Sequence, residues 1–521
     1  MIRVFLLLTV CLCLSVAAYG QTAPMPTAAA MGGMPGSGLD LDLLAAVEAD
    51  AIEFMLPRTL EPVTAGQLAE WALSGLTALD PALTVFVREG GKIDLVMQGR
   101  SLVSVAVAPK ESSAPSWAAA IAKVVAAGYA ASAPVRQAGQ AGITKSLFDE
   151  MLGHLDPYSR YIPPIEAVGD RDRRIGRAGI GVTIVPGSRF GRVREVVIGS
   201  PAALAGIGPG DSVQFVNQQP ARGRDHLTLE AMLGGPEGTE LRVAWRDQDE
   251  TPHVATMTRV MIPPETVFPR RMGDITVIQI SGFTQTTDQH VAHVIRGVLR
   301  SRRPSTGLIL DLRGNRGGVL RTAISTAESF LPGGVLVRAS GRAPETNRVW
   351  VSGGRDTANG IRMAVLVDGG TASAAEVLAA ALADRGRAVV VGSSTFGKGA
   401  VQTIEALPDG GELFLTWSRL LAPRGWPIQS LGVIPQICMS LGADAPRRQL
   451  ASLAAGRLEL EGAIRTHRAA RAPMTPDQIV AIRGQCPASD PHDDDLRVAQ
   501  TLLENPASYA AALLLAGGEE R

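Results

Sequence analysis

Between residues 263 and 437 the chain alternates short apolar runs with amphipathic helical stretches, and this alternation restricts the fold more than any other feature. Apolar runs fall at Ile275–Ile280, 307–312, 363–367, 388–391 and 413–419. Helical spacing falls at 288–300, 321–330 and 374–383. Repeated strand–helix alternation predicts an α/β sheet with helices packed on it. The flanks read differently. Residues 41–170 carry apolar residues mainly at helical spacing, 171–262 break into short β-runs and turns, and 438–521 return to a helical pattern. The expected class is therefore α/β multidomain, a β-domain ahead of an α/β core at 263–437, with helical N- and C-terminal regions. Two helices, near 72–81 and 150–157, both stop at Leu-Asp-Pro, which reads either as an internal duplication or as chance.

Composition narrows the partners. Lysine plus arginine and aspartate plus glutamate both number 50 of 521 residues, so neither nucleic acid nor an anionic membrane is an expected partner. Residues 1–20 read as a signal peptide: Arg3 precedes an apolar stretch from Val4 to Ala18, and Ala18 and Gly20 are small residues ahead of a cut before Gln21. Residues 21–40, rich in Ala, Pro, Met and Gly, read as a disordered linker. The expectation is an exported, periplasmic protein with no stable membrane insertion. Cleavage would leave Cys438 and Cys486, either paired in an oxidising compartment or as two separate buried thiols.

Two segments carry candidate chemistry. Val365-Leu-Val-Asp-Gly-Gly-Thr-Ala-Ser-Ala-Ala-Glu reads as a buried strand, a glycine turn and a helix opening at Ser373. A hydroxyl at such a turn is exposed and lies near helix N–H groups. Val389-Val-Val-Gly-Ser-Ser-Thr-Phe-Gly-Lys-Gly places Lys398 after a second apolar strand, where a lysine can lose its water and its proton. Together they suggest a Ser–Lys hydrolase. The lysine segment also nears a nucleotide-binding loop, but Gly399 stands where a magnesium-binding hydroxyl is needed and strand rather than helix follows. The seven histidines are scattered, and the Asp490–Asp495 cluster with His492 reads as a solvated helix start, so no metal site is expected.

Ala178-Gly-Ile-Gly-Val, followed by Gly199-Ser-Pro-Ala-Ala-Leu-Ala-Gly-Ile-Gly-Pro-Gly-Asp, resembles a PDZ domain of the bacterial protease type. By that resemblance Gly179, Ile180, Gly181 and Val182 form the loop that binds a peptide C-terminus, its inward N–H groups taking the carboxylate. Adding Leu155-Asp-Pro-Tyr-Ser-Arg-Tyr, Leu310-Asp-Leu-Arg-Gly-Asn-Arg-Gly-Gly and Phe396-Gly-Lys-Gly in this order, the chain resembles the carboxy-terminal processing (tail-specific) protease family over about 147–437. The resemblance implies Ser373 as nucleophile, Lys398 as general base, Gln402 orienting that lysine, and the Gly318 and Ala374 N–H groups as oxyanion donors, with Gly317 a close rival to Gly318. Thr371 is the other hydroxyl in the motif, and Glu376 and Asp384 read as supporting charges on the following helix. No cofactor is implied. The expected partners are protein substrates with exposed C-termini, and the helical flanks are compatible with an adaptor or a homodimer.

Ala375 replaces a serine common in the motif, and Gly234 stands where relatives often carry an arginine implicated in coupling the PDZ domain to the active site. Coupling is therefore expected to be weaker or differently wired. Two other readings stand beside the protease: a catalytically silent PDZ scaffold, and an esterase or amidase using the same dyad. The base must be neutral to act. Bringing a lysine from about 10.4 to roughly 7–8 costs its charged form about 3–5 kcal/mol, which burial can supply.

Overall fold

The computed structural model describes residues 38–517 except 89, 108–111, 189–190 and 198. The signal-peptide reading and nearly all of the linker reading lie outside the described residues. At the centre is a six-stranded sheet, in the order Val267–Met272, Ile275–Ile280, Gly307–Asp311, Arg362–Val367, Val389–Gly392, Ile437–Cys438. The first pair is antiparallel and the rest are parallel. Alternate side chains of each strand point to opposite faces. Ile278, Leu308, Leu310, Val365 and Val390 join one core with helices Thr287–Arg300, Leu320–Glu328 and Ala374–Asp384. Val277, Ile309, Leu366, Val389 and Val391 join a second core with Leu453, Val498, Leu502 and Leu503.

The C-terminal helices are thus the second cover of this sheet. Their attachment is covalent as well: Cys438, in the edge strand, is disulfide-bonded to Cys486. This decides between the two readings of the cysteines. Asp495 corrects another expectation. It is almost fully buried and pairs with Arg313 at 3.2 Å, so this part of the acidic cluster is a structural tie and not a solvated helix start. Among the described residues no group of three or more acidic, histidine or cysteine side chains could hold a metal ion. No described helix is long and apolar enough to cross a membrane.

A second, five-stranded sheet stands beside the first. Its strands Arg348–Ser352, Gly334–Ser340, Glu412–Leu421 and Ala400–Ala406 follow in that order, and Arg160–Ile162 pairs with Glu412–Leu421. The N-terminal region is helical, as expected, with an antiparallel meander of Leu83–Arg88, Lys92–Met97 and Arg100–Ala106 that helical periodicity did not reveal. Its two Leu-Asp-Pro helices pack together at Gly75, where a Cβ would lie 2.6 Å from the Ser146 carbonyl oxygen. The β-rich region closes on itself where Val260–Ile262 pairs with Arg177–Gly179.

Candidate active site

Ser373 precedes helix Ala374–Asp384 with φ 57° and ψ −121°. A non-glycine residue held there is strained, and such strain persists only where the surroundings enforce it. The enforcement is visible. The Ala372 N–H donates to the Asn315 carbonyl at 2.8 Å, and the Ser373 N–H donates to Glu376 Oε2 at 2.7 Å. The Glu376 N–H in turn donates to the Ser373 carbonyl at 2.9 Å, closing the turn from the other side. Thr371, the neighbouring hydroxyl, is fully buried and donates to the Leu312 carbonyl and Asp368.

Lys398 lies in the loop that leaves strand Val389–Gly392 and enters strand Ala400–Ala406, crossing from one sheet to the other. Glu376 ties this loop to the serine turn. Its fully buried carboxylate accepts from the Lys398 N–H at 2.8 Å, the Gly397 N–H at 2.7 Å and the Thr395 hydroxyl, besides the Ser373 N–H. The Ser373 and Lys398 amides share one oxygen, so they are no further apart than those two bonds laid end to end. Burial raises the Glu376 pKa above the ordinary carboxylate value, opposed by the four donors. The Lys398 pKa is lowered, first by burial and then by the Arg160 charge, with Asp156 acting the other way.

The lysine side chain meets residues from far upstream. Lys398 Nζ donates to Gln402 Oε1 at 3.0 Å and lies 5.1 Å from the centre of the Tyr158 ring. Gln402 Nε2 donates to the Tyr158 carbonyl at 2.8 Å, which directs Oε1 toward the lysine. Asp156 fixes the segment, accepting from the Tyr158 and Ser159 N–H groups and from the Thr416 hydroxyl. Among the described residues no hydrogen bond joins the Ser373 hydroxyl to Lys398 Nζ.

The turn after strand Gly307–Asp311 lies against Ser373. A Cβ on Gly317 would sit 2.9 Å from the Ser373 Cβ and 3.0 Å from the Ala374 nitrogen. The Gly317 N–H is occupied, donating to Asn315 Oδ1 at 2.8 Å, while the Gly318 N–H donates to nothing among the described residues. Ala374, as the first helical residue, has no intrahelical acceptor for its own N–H. In the β-rich region, Gly181 has φ 81° and packs so closely on Ser200 that a Cβ would meet the Ser200 Cβ at 2.4 Å. Ile180 is buried beneath this loop, and strand Val182–Ile184 follows it.

Residues 274–439 match Peptidase family S41, and residues 170–244 match the PDZ domain. A carboxy-terminal-processing protease of Bartonella bacilliformis is 32% identical over 300 residues, spanning 57% of this chain and 69% of that protein. A carboxyl-terminal-processing protease of Synechocystis is 31% identical over 308 residues, spanning 56% of this chain and 70% of that protein. The chain belongs to the carboxy-terminal-processing protease family. Among solved structures, the photosystem II D1 C-terminal processing protease aligns with 72% of this chain and 92% of its own, at TM-score 0.36 and 24% identity.

This carboxy-terminal-processing protease is an S41 serine peptidase whose PDZ domain precedes an α/β core. Its departures from the motif have local explanations. Ala375 is fully buried among the apolar residues of its helix. Gly234 ends helix His226–Leu233 against Gly179, and an arginine does occupy that corner: the Arg259 guanidinium donates to the Met232 and Leu233 carbonyls. Asp384 anchors the far end of the serine helix, accepting from Trp426 Nε1 at 2.8 Å and pairing with Arg468 at 2.9 Å. Sequence reasoning missed Tyr158, Asp156 and Thr395 as site residues. The first two stand in the Leu-Asp-Pro-Tyr-Ser-Arg-Tyr motif and Thr395 directly ahead of Phe396-Gly-Lys-Gly, and those motifs were the available signal.

Proposed function

We propose that this protease is an exported endopeptidase that cuts protein substrates near their C-terminal tails. Ser373 is the nucleophile and Lys398 the general base, with Gln402 positioning the lysine amine. The supporting observation is the Glu376 carboxylate that binds the backbone of both Ser373 and Lys398. Neutral Lys398 takes the hydroxyl proton as Ser373 adds to the scissile carbonyl, and the oxyanion forms against the Gly318 and Ala374 N–H groups. Lys398 then protonates the leaving amine and activates the water that releases the acyl group. Gln402 accepts one amine hydrogen, which leaves the nitrogen lone pair for the serine once the side chain rotates toward it; catalytic hydrogen bonds commonly tighten only when substrate binds. Residues 179–182 hold the substrate's C-terminal carboxylate.

The test is to incubate wild type and Ser373→Ala with an extract of exported proteins and to map new C-termini. Wild type should create them and the variant should not. The same cleavages by Ser373→Ala would overturn the assignment.

A further inference from the structure

Among the described residues, strand Val182–Ile184 pairs only with Val193–Val196, which leaves its other edge without a strand partner. Alternation decides which groups face that edge. On the paired side, the Val197 N–H donates to the Gly181 carbonyl and the Val185 N–H to the Arg192 carbonyl, with Thr183 opposite Glu195 between them. Val182 and Ile184 therefore direct their backbone groups to the free edge. There the Ile184 N–H is already taken: it donates to Glu230 Oε1 at 2.9 Å, reaching across from helix His226–Leu233. The Ile180 and Gly181 N–H groups, by contrast, donate to nothing among the described residues. The groove between strand and helix is open where a carboxylate would sit and occupied further along.

The helix cannot easily carry Glu230 away. Asp225 caps its first turn, Arg259 holds its last carbonyls, and Leu229 and Leu233 are buried beneath it. The glutamate side chain, half-buried, is the part that can move.

We infer that Glu230 is a built-in competitor for substrate tails, which must displace its carboxylate from the Ile184 N–H in order to dock. The inference rests on the reading of residues 179–182 as the carboxylate loop. A tail adding antiparallel to Val182–Ile184, with its terminus at Ile180 and Gly181, brings the carbonyl of its third-from-last residue to the Ile184 N–H. Tails that form this strand displace the glutamate; shorter or poorly extended ends do not gain the bond. The observed affinity is lowered by the fraction of protein in which Glu230 is in place.

The test uses the full chain carrying Ser373→Ala and a fluorescein-labelled octapeptide ending in valine, as the free acid and as the C-terminal amide, read by anisotropy. The acid should bind and the amide should not, which checks the underlying loop reading separately. Glu230→Ala should then tighten binding of the acid about tenfold. Glu230→Asp, which keeps the charge but is too short to reach, should tighten it comparably. Unchanged or weaker binding by Glu230→Ala overturns the inference, as does tightening by alanine alone, which would indicate charge repulsion. Equal binding of acid and amide, or binding of neither, removes the loop reading and the competitor with it.

Discussion

Three backbone N–H groups and one hydroxyl converge on the Glu376 carboxylate, and they come from both sides of the site. Removing it leaves buried donors without an acceptor, each costing roughly 1–3 kcal/mol. Glu376→Ala should therefore lower the melting temperature and reduce kcat/KM by at least about a hundredfold, since small displacements of reacting groups are costly. Glu376→Gln should rescue little, because its NH₂ faces donors. Thermal melts and peptide-cleavage kinetics on the two variants check this. Activity near wild type in Glu376→Ala would mean that the serine turn and lysine loop hold their positions unaided. The lowered Lys398 pKa sets a second expectation. The base works only when neutral, so the rate should rise with pH, with a midpoint below that of an ordinary lysine. A kcat/KM profile from pH 6 to 10, taken where chemistry limits the rate, should show this rise; a flat profile would contradict it.

At the scale of elements, the disulfide holds the back cover to the edge of the central sheet. It closes a loop of 48 residues, and the chain-entropy argument gives such a closure about 4 kcal/mol. Reduction, or Cys486→Ser, should lower the melting temperature measurably. An unchanged melt would show that packing alone seats these helices. The central strands were legible because runs such as 363–367 are apolar at every position, as strands covered on both faces must be. Strand Arg348–Ser352 was not, because it is a mostly exposed edge strand whose apolar run is only Val349-Trp350-Val351. The meander at 83–106 was masked by helices on either side of it in sequence. Within the site, Ser373, Lys398 and Gln402 could be read from motif spacing. The acceptor that orients Gln402 could not, because it is the backbone carbonyl of Tyr158, a group every residue carries.

At the scale of the whole molecule, the packing of the N-terminal region should respond to pH. Glu48, on helix Leu41–Met55, is fully buried, and neither carboxylate oxygen has a hydrogen-bond partner among the described residues. Burial, and then the charge of the half-buried Asp409, push its pKa up from 4.5 to about 8. Asp409 in turn accepts from the Tyr161 hydroxyl. The folded state keeps a proton on Glu48 that the unfolded chain releases. This contribution to stability is full below about pH 4.5 and is lost as pH rises toward 8, roughly 3–5 kcal/mol across the window. Glu48→Gln should therefore stabilise the protein at pH 8 and flatten this part of the profile. Denaturant titrations between pH 5 and 8 test it, and identical slopes in both proteins would refute it.

The helices from 445 onward, which seal the back of the central sheet, are the last of the described chain to leave the ribosome. One of them supplies Arg483, whose guanidinium grips the Thr395 and Leu431 carbonyls beside the lysine loop. Until they arrive, the loop bearing Lys398 lacks its clamp and the sheet beneath it lacks a partner. A nascent chain from which these helices have not yet emerged is in this way unarmed, its lysine loop waiting for a clamp that comes from more than eighty residues further on.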